Sequence, residues 1–339
     1  MIERVSSLPL VSIIVPVFNG EQYLLESLDS IIAQTYQQTE VLVMDDASTD
    51  GTPEIIASYG DRIICCRQPN NRGIYANMND GIAKARGEYI AFYHADDIYD
   101  PRIVEREVEF FQHYPEAGAI FTQSVFIDAK GREFGRFKVQ PELRGGRPFD
   151  YRVIFNALLR YKNRLLVCPS NMVPTSVYHD VGVYRDKEFL NSSDLEMWLR
   201  IVRKYPIGIL EEYLIQYRHG HNSSAKRYHH LRTDQERYFR IMDLYLKDGG
   251  QAIATPDALA AYDAHRAEDK LMRAINHYIL NQRNESQVIL SQIKLGKLLG
   301  SSRIQRWRLL ILFFTMLFLT RIPKIKLIAN IFYQRWHKG

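Results

Sequence analysis

Two adjacent carboxylates, Asp96 and Asp97, end the run Glu88-Tyr89-Ile90-Ala91-Phe92-Tyr93-His94-Ala95. Tyr89 to Tyr93 is short, apolar and aromatic and follows Gly87, so it predicts a strand buried on both faces rather than a helix. Carboxylates at the carboxyl end of such a strand lie where open α/β sheets bind ligands. An Asp pair supplies hard oxygen ligands, suited to Mg²⁺ or Mn²⁺ and to the phosphates those ions bridge. An isolated pair would instead read as solvated residues capping the helix expected after Pro101.

A second acidic cluster shifts the reading toward chemistry. Glu40 to Met44 predicts a strand, and it ends on Asp45-Asp46-Ala47-Ser48-Thr49-Asp50-Gly51. In a parallel sheet both clusters fall on one edge and share a site. One can hold the base and sugar of a nucleotide by hydrogen bonds while the other holds its diphosphate through a cation. No Gly-x-Gly-x-x-Gly follows the first strand and no Gly-x-x-x-x-Gly-Lys-Ser/Thr occurs, which removes the strongest support for dinucleotide and P-loop readings. Asp194, in Ser193-Asp194-Leu195-Glu196, opens an amphipathic helix and by itself reads as a cap. His219 and His221 read as loop residues, although His with Asp oxygens suits Mn²⁺.

The elements that must position these groups follow in order. Val11 to Phe18 predicts a first buried strand, interrupted near its end by Pro16 and then by Asn19-Gly20. Leu24, Leu25, Leu28, Ile31 and Ile32 fall at helical spacing. Thr52-Pro53 is an N-cap and first-turn signal, Ile63 to Cys66 a third strand, and Gly73 to Ala85 a third helix. This alternation specifies an α/β fold with a mostly parallel sheet and helices on both faces. A charged helix over Arg102 to Tyr114 and a strand over Gly118 to Thr122 come next. Asp128 to Asp150, rich in Gly, Arg and Pro, reads as a long loop, either a lid or a binding segment. Beyond Lys226 the pattern is helical, with a turn at Gly249-Gly250. The expected organisation is a catalytic domain over 1–225, a helical extension over 226–300 and a basic apolar tail over 301–339.

At 46% hydrophobic and 24% charged residues, the 339-residue chain has an ordinary globular composition. Its net charge of +5 hides an asymmetry. No Asp or Glu follows Glu285, yet ten Lys and Arg do, leaving 34 basic against 39 acidic residues in the rest. Such a tail asks for an anionic partner. Its apolar run, Leu309 to Leu319, reaches only about 17 Å as a helix against a hydrocarbon core of about 30 Å, so no transmembrane span is expected. With Trp307, Tyr333 and Trp336 at its borders it reads as an in-plane anchor on an anionic membrane surface, or alternatively as a core helix or an oligomer contact. A continuous apolar core argues against nucleic acid. Three cysteines, two of them adjacent, point to reduced thiols, and no basic segment followed by a long apolar one opens the chain. The expected location is therefore cytoplasmic, at the inner face of the cell membrane.

Six ordered segments carry a family resemblance. Val11 to Asn19 (VSIIVPVFN), Val43 to Thr52 (VMDDASTDGT), Asn71-x-Gly73 with Asn79-x-Gly81, Gly87 to Asp97 (GEYIAFYHADD), Val181-Gly182, and Asp194-x-x-x-Trp198-x-x-Arg200 resemble glycosyltransferase family 2. The resemblance covers roughly residues 8 to 225, and the coincidence of six motifs is far more specific than any one. It implies a GT-A, Rossmann-like nucleotide-sugar transferase with a C-terminal helical appendage. Pro16, Asn19, Asp45, Asp46, Asn79 and Ala95 would then line the nucleotide-sugar pocket, with Asp46 on the base and Asp45 supporting it. Asp96 would be the main ligand of Mn²⁺ or Mg²⁺, with Asp97, His94, His219 and His221 as further candidates. Asp194 would be the general base of an inverting displacement, kept ionised by its place at a helix start. The implied donor is of the UDP or dTDP type and the acceptor a glycan or lipid-linked hydroxyl, in polysaccharide and cell-envelope synthesis.

One position departs from the family's Asp-x-Asp-Asp pattern: His94 stands first, which removes a negative charge. That motivates a degenerate membrane-bound scaffold as an alternative. A nucleotidyltransferase would need a basic, Gly-rich triphosphate loop after the first strand, and Phe18-Asn19-Gly20-Glu21 supplies no Lys or Arg. The Gln-x-x-Arg-Trp signature of processive synthases is absent from the catalytic region, so one sugar is expected to move at a time.

Overall fold

Strand β1 (Val11–Val17) is buried at every residue, as an apolar run interrupted only by Ser12 requires of a strand covered on both faces. The structure is a computed structural model that describes residues 8–164, 166–219, 231–298, 303–322 and 325–337. The chain divides into two compact units, Met1–Ile154 with Asn163–His221, and Phe155–Lys162 with Asn222–Gly339.

In the first unit, helix α1 (Leu24–Ile32) buries Leu24, Ser27, Leu28 and Ile31, one amphipathic stripe. It leads to β2 (Thr39–Asp45), α2 (Thr52–Ser58), β3 (Ile64–Arg67), α3 (Ile74–Lys84) and β4 (Tyr89–Phe92). These strands lie in the order β3-β2-β1-β4, all parallel, with Val17 opposite Asp45 and Ile14 opposite Phe92. Helix α3 approaches β1 closely at Gly81, where a Cβ would stand 2.6 Å from the Ile14 side chain. Thr52 is the first helical residue of α2 rather than its cap; Gly51 is the cap, and Asp50 Oδ1 accepts the Thr52 N–H.

The second half of the sheet was less foreseeable. After β5 (Ile98–Tyr99), α4 (Ile103–His113) and β6 (Ala119–Ile127), the stretch 128–150 holds two short strands, β7 (Glu133–Arg136) and β8 (Pro148–Phe149), where a loop was expected. Helix α5 (Tyr151–Tyr161), β9 (Asn171–Pro174), α6 (Thr175–Val181), α7 (Asp186–Phe189), α8 (Ser193–Val202) and β10 (Ile207–Arg218) follow. The four-residue β9 inserts antiparallel between β4 and β6, and β10 then pairs parallel to β6. Among the described residues four of the strand pairings are thus parallel and five antiparallel, the parallel ones concentrated in β3-β2-β1-β4, and helices pack around the sheet. Val15, Val43, Ala91, Tyr93, Leu28 and Ile103 share one of its buried clusters.

The second unit is helical: Arg237–Tyr245, Pro256–Ile279, Arg283–Ser291, Leu295–Leu298, Arg303–Leu319 and Lys326–His337. The expected turn at Gly249-Gly250 is made by Gly249 at φ 88°, a conformation glycine adopts without strain. Leu271, Ile275, Tyr278, Leu290, Leu309, Phe313 and Met316 share its core. No helix among the described residues is long and apolar enough to cross a membrane.

Candidate active site

Strands β1 and β2 end side by side, and the turns after them are tied together. Asn19 takes a left-handed conformation, φ 51°, which Asn tolerates. Its N–H donates to Ser48 Oγ at 2.9 Å, and its Oδ1 accepts the Thr49 N–H at 2.8 Å. Gly20 N–H donates to Thr52 Oγ1 at 2.8 Å, while Pro16 is buried within β1. The result is a fixed floor at the sheet edge.

The two carboxylates at the end of β2, Asp45 and Asp46, are buried and oriented by backbone amides. Asp45 Oδ1 accepts the Ser48 N–H at 2.9 Å, and Oδ2 lies 3.5 Å from Arg67 Nε. Asp46 Oδ1 and Oδ2 accept the N–H groups of Arg72 and Gly73, each at 2.8 Å. Asp46 therefore holds the turn that enters α3, and each oxygen retains a lone pair for a ligand. Asn79 is clamped onto Tyr184, accepting its N–H at 2.9 Å and donating to its carbonyl at 2.8 Å. Its amide thereby positions the segment that carries the Tyr184 ring against Phe92 and Trp198.

Beyond β4, donor atoms of His94, Asp96 and Asp97 lie within 4.8 Å of one another. The turn is fixed by the His94 N–H, which donates to the Tyr99 hydroxyl at 2.6 Å, and by Ser27 Oγ, which donates to the His94 carbonyl at 2.8 Å. Ala95 belongs to the buried core cluster. Burial pushes the His94 imidazole pKa down, against the pull of Asp96, which favours the neutral form that ligates cations. Burial and then Asp96 push Asp97 well up, with Arg218 opposing. His94 Nε2 and Asp97 Oδ2 are buried without a hydrogen bond. Buried polar atoms of that kind are costly unless something satisfies them. A divalent cation would, and one imidazole with two carboxylates fits Mn²⁺ well and Mg²⁺ acceptably.

Asp194 lies in the first turn of α8, after the cap residue Ser192. Asn163 Nδ2 donates to its Oδ2 at 3.4 Å, and the Tyr75 hydroxyl and the Leu195 N–H also bond it. Burial nonetheless pushes its pKa up, so desolvation outweighs the helix start that was expected to favour the ionised form. Burial raises the pKa of the Tyr217 phenol first, followed by the charges of Asp97, Asp96, Cys168 and Asp194.

His219 is not part of the cation-sized group. It follows β10, its ring edge-on to Tyr217 at 4.6 Å and to Phe126 at 5.0 Å. His221 lies outside the described residues. Sequence reasoning missed Arg218, whose N–H donates to Asp97 Oδ1 and whose Nε donates to the Asp96 carbonyl, each at 2.8 Å. The signal was the apolar run Leu214-Ile215 before Tyr217, which marks a strand ending at the site. Tyr75 and Asn163, the partners of Asp194, were missed too, because nothing in their local sequence points to it.

Comparison with known proteins adds family and fold. A model of glycosyl transferase family 2 matches residues 12–182. An uncharacterized glycosyltransferase of Rickettsia felis is 33% identical over 222 residues, 64% of this chain and 36% of that protein. One from Methanocaldococcus jannaschii is 32% identical over 218 residues, 62% of this chain and 71% of that protein. The chain spans only 35% to 64% of the length of three rickettsial relatives it matches. Among solved structures, residues 1–349 of S. aureus TarS with UDP-GlcNAc align with TM-score 0.55 and 16% identity, over 97% of this chain and 90% of that one. A mannosyltransferase from Pyrobaculum calidifontis with GDP-Man and Mn²⁺ aligns with TM-score 0.54 and 16% identity, over 98% and 89%. These are GT-A structures, and the likeness shows that fold here.

Proposed function

The chain belongs to glycosyl transferase family 2, and from that premise we propose that it moves one sugar from a nucleoside diphosphate sugar to an acceptor hydroxyl, with inversion. The observation that carries this reading is the grouping of His94, Asp96 and Asp97 at the end of β4. Asp46 and Asp45 would face the base, and Pro16, Asn19 and Ala95 would line the pocket, with Asn79 shaping its wall through Tyr184. The relatives with bound UDP-GlcNAc, UDP and GDP-Man support a nucleotide-sugar donor; we favour UDP or dTDP and a glycan or lipid-linked acceptor. Residues 1–225 would form the catalytic domain, 226–300 its helical extension and 301–339 the tail.

In the proposed step Asp194, ionised, takes the proton of the acceptor hydroxyl while that oxygen attacks the anomeric carbon. The carbon's bond to the diphosphate oxygen breaks on the opposite face, which inverts the centre. His94, Asp96 and Asp97 would hold Mn²⁺ or Mg²⁺, whose chemistry when bound is to neutralise the leaving diphosphate. The raised pKa of Asp194 suits a base, because a more basic carboxylate accepts the proton more readily provided the pH exceeds that value. His94 in place of an acid does not by itself favour a degenerate scaffold, since its Nε2 is buried with no other partner.

The test is a panel of UDP, dTDP, GDP and CDP, each with and without Mn²⁺, read by thermal shift, followed by turnover of the sugar nucleotide of the base that binds. A metal-dependent rise for one diphosphate with turnover lost in Asp194→Asn is the expected result. No response to any diphosphate would sink the reading.

A further inference from the structure

The helix Arg303–Leu319 is apolar on two opposite faces. Leu309, Phe313 and Met316 are buried in the core of the second unit. Trp307, Ile311, Phe314 and Phe318 are not: each is between 55% and 65% exposed. At about 100° per residue these four fall within an arc of about 60°, centred roughly 160° from the buried stripe. The buried stripe explains why the helix folds onto its neighbours, and it leaves the exposed stripe without a structural reason. Leu327 and Ile331, on the helix Lys326–His337, add two more apolar side chains at 70% and 53% exposure. Soluble surfaces carry scattered apolar residues, but four large ones in register on one helix mark an interaction face.

We infer that this face lies on an anionic lipid bilayer, its side chains in the interfacial region and the helix parallel to the surface. Charge decides the occupant. Arg308, Arg321 and Lys326 are exposed beside the apolar residues, and no Asp or Glu occurs after Glu285. A second copy of the chain would bring two such basic faces together, whereas acidic headgroups would draw each one in. The 17-residue helix covers about 25 Å, too short for the hydrocarbon core but adequate for an in-plane seat. Trp307 at the end of the stripe has the amphipathic ring that favours the headgroup level.

The experiment is flotation of the whole chain with vesicles of phosphatidylcholine alone, or containing about one third phosphatidylglycerol, at low and high salt. Binding is expected only to the anionic vesicles, weakening as salt rises. Ile311→Ser/Phe314→Ser/Phe318→Ser should lower the partition coefficient by more than about tenfold. The melting temperature should hold, because Leu309, Phe313 and Met316 are untouched. Should that variant melt early, quenching of wild-type tryptophan fluorescence by brominated lipid decides instead; absence of quenching counts against the seat. Wild-type protein that ignores anionic vesicles overturns the inference, and so does a well-folded variant that binds unchanged. A concentration-dependent dimer that the same variant dissolves would overturn it too, assigning the face to self-association. Vesicle binding needs neither donor nor turnover, so its failure leaves the transferase reading untouched.

Discussion

Arg218 donates its backbone N–H to Asp97 Oδ1 at 2.8 Å, which ties the last residue of β10 to the second carboxylate after β4. Its side chain does more. Nε donates to the Asp96 carbonyl at 2.8 Å, Nη2 to Glu26 Oε2 at 2.6 Å, and the guanidinium stacks over Tyr23 at 4.4 Å. The acidic turn is therefore held between a strand and a helix that are distant in sequence. A buried arginine of this kind sets the position of Asp96 without needing to touch substrate.

Arg218→Met keeps the stem's packing and removes the guanidinium. We expect a loss of about 3 kcal/mol in urea unfolding, because the part-buried Asp96 carbonyl loses the donor that the buried Arg218 side chain supplies. Glu26→Gln should cost under about 1 kcal/mol, since Glu26 is more than half exposed and its ion pair is screened by water. Equal losses for the two variants would mean that the ion pair, not the carbonyl bond, carries the effect.

Asp194→Asn should lower turnover by about 10²- to 10⁴-fold while leaving donor affinity nearly unchanged. Its pH behaviour has a definite sign. The folded-state pKa lies above the unfolded one, so ionising Asp194 destabilises the protein as pH rises from the ordinary carboxylate range through the raised value. At neutral pH the Asn variant should therefore melt higher than wild type. The acid limb of the wild-type activity profile should fall above the ordinary carboxylate range, and a limb within that range would remove burial as the controlling influence.

The part of the fold written most plainly in the sequence is the parallel block. Val11–Val17, Thr39–Asp45 and Tyr89–Phe92 are buried on both faces almost throughout, so they are mostly apolar and their ends are marked by Asn, Asp and Gly. The antiparallel side is harder because its strands are short or mixed. Asn171–Pro174 has four residues, follows Pro169 closely and ends on a proline, and Glu133–Arg136 is mostly exposed, so neither carries a periodic signal. The cation-sized group was legible because its three members lie within four positions of one another. Arg218, Tyr75 and Asn163 reach the site only through tertiary packing, and spacing along the chain does not encode that.

Asp46 makes a separate prediction. Both of its oxygens accept backbone amides of Arg72 and Gly73, so the turn into α3 depends on a carboxylate and not merely on a polar side chain. Asp46→Asn would set an NH₂ group against one of those amides. We expect Asn and Ala variants to be destabilised alike, by about 1 to 3 kcal/mol, and both to raise the donor KM. An Asn variant with wild-type stability and a raised KM would restrict Asp46 to ligand contact.

The last prediction concerns His94, the departure from the family's acidic pattern. His94→Asp replaces a neutral imidazole with a third carboxylate beside Asp96 and Asp97, in a place where burial already pushes Asp97 up. In EDTA the variant should melt below wild type, since like charges in a desolvated turn repel. With Mg²⁺ it should gain more than wild type does, because an oxygen ligand suits that ion better than a ring nitrogen. Mg²⁺ affinity should rise by about tenfold while the preference for Mn²⁺ narrows. Melting curves in EDTA, Mg²⁺ and Mn²⁺ for both proteins check this, and an unchanged Mn²⁺ preference in the variant would take the His94 ring out of the coordination sphere.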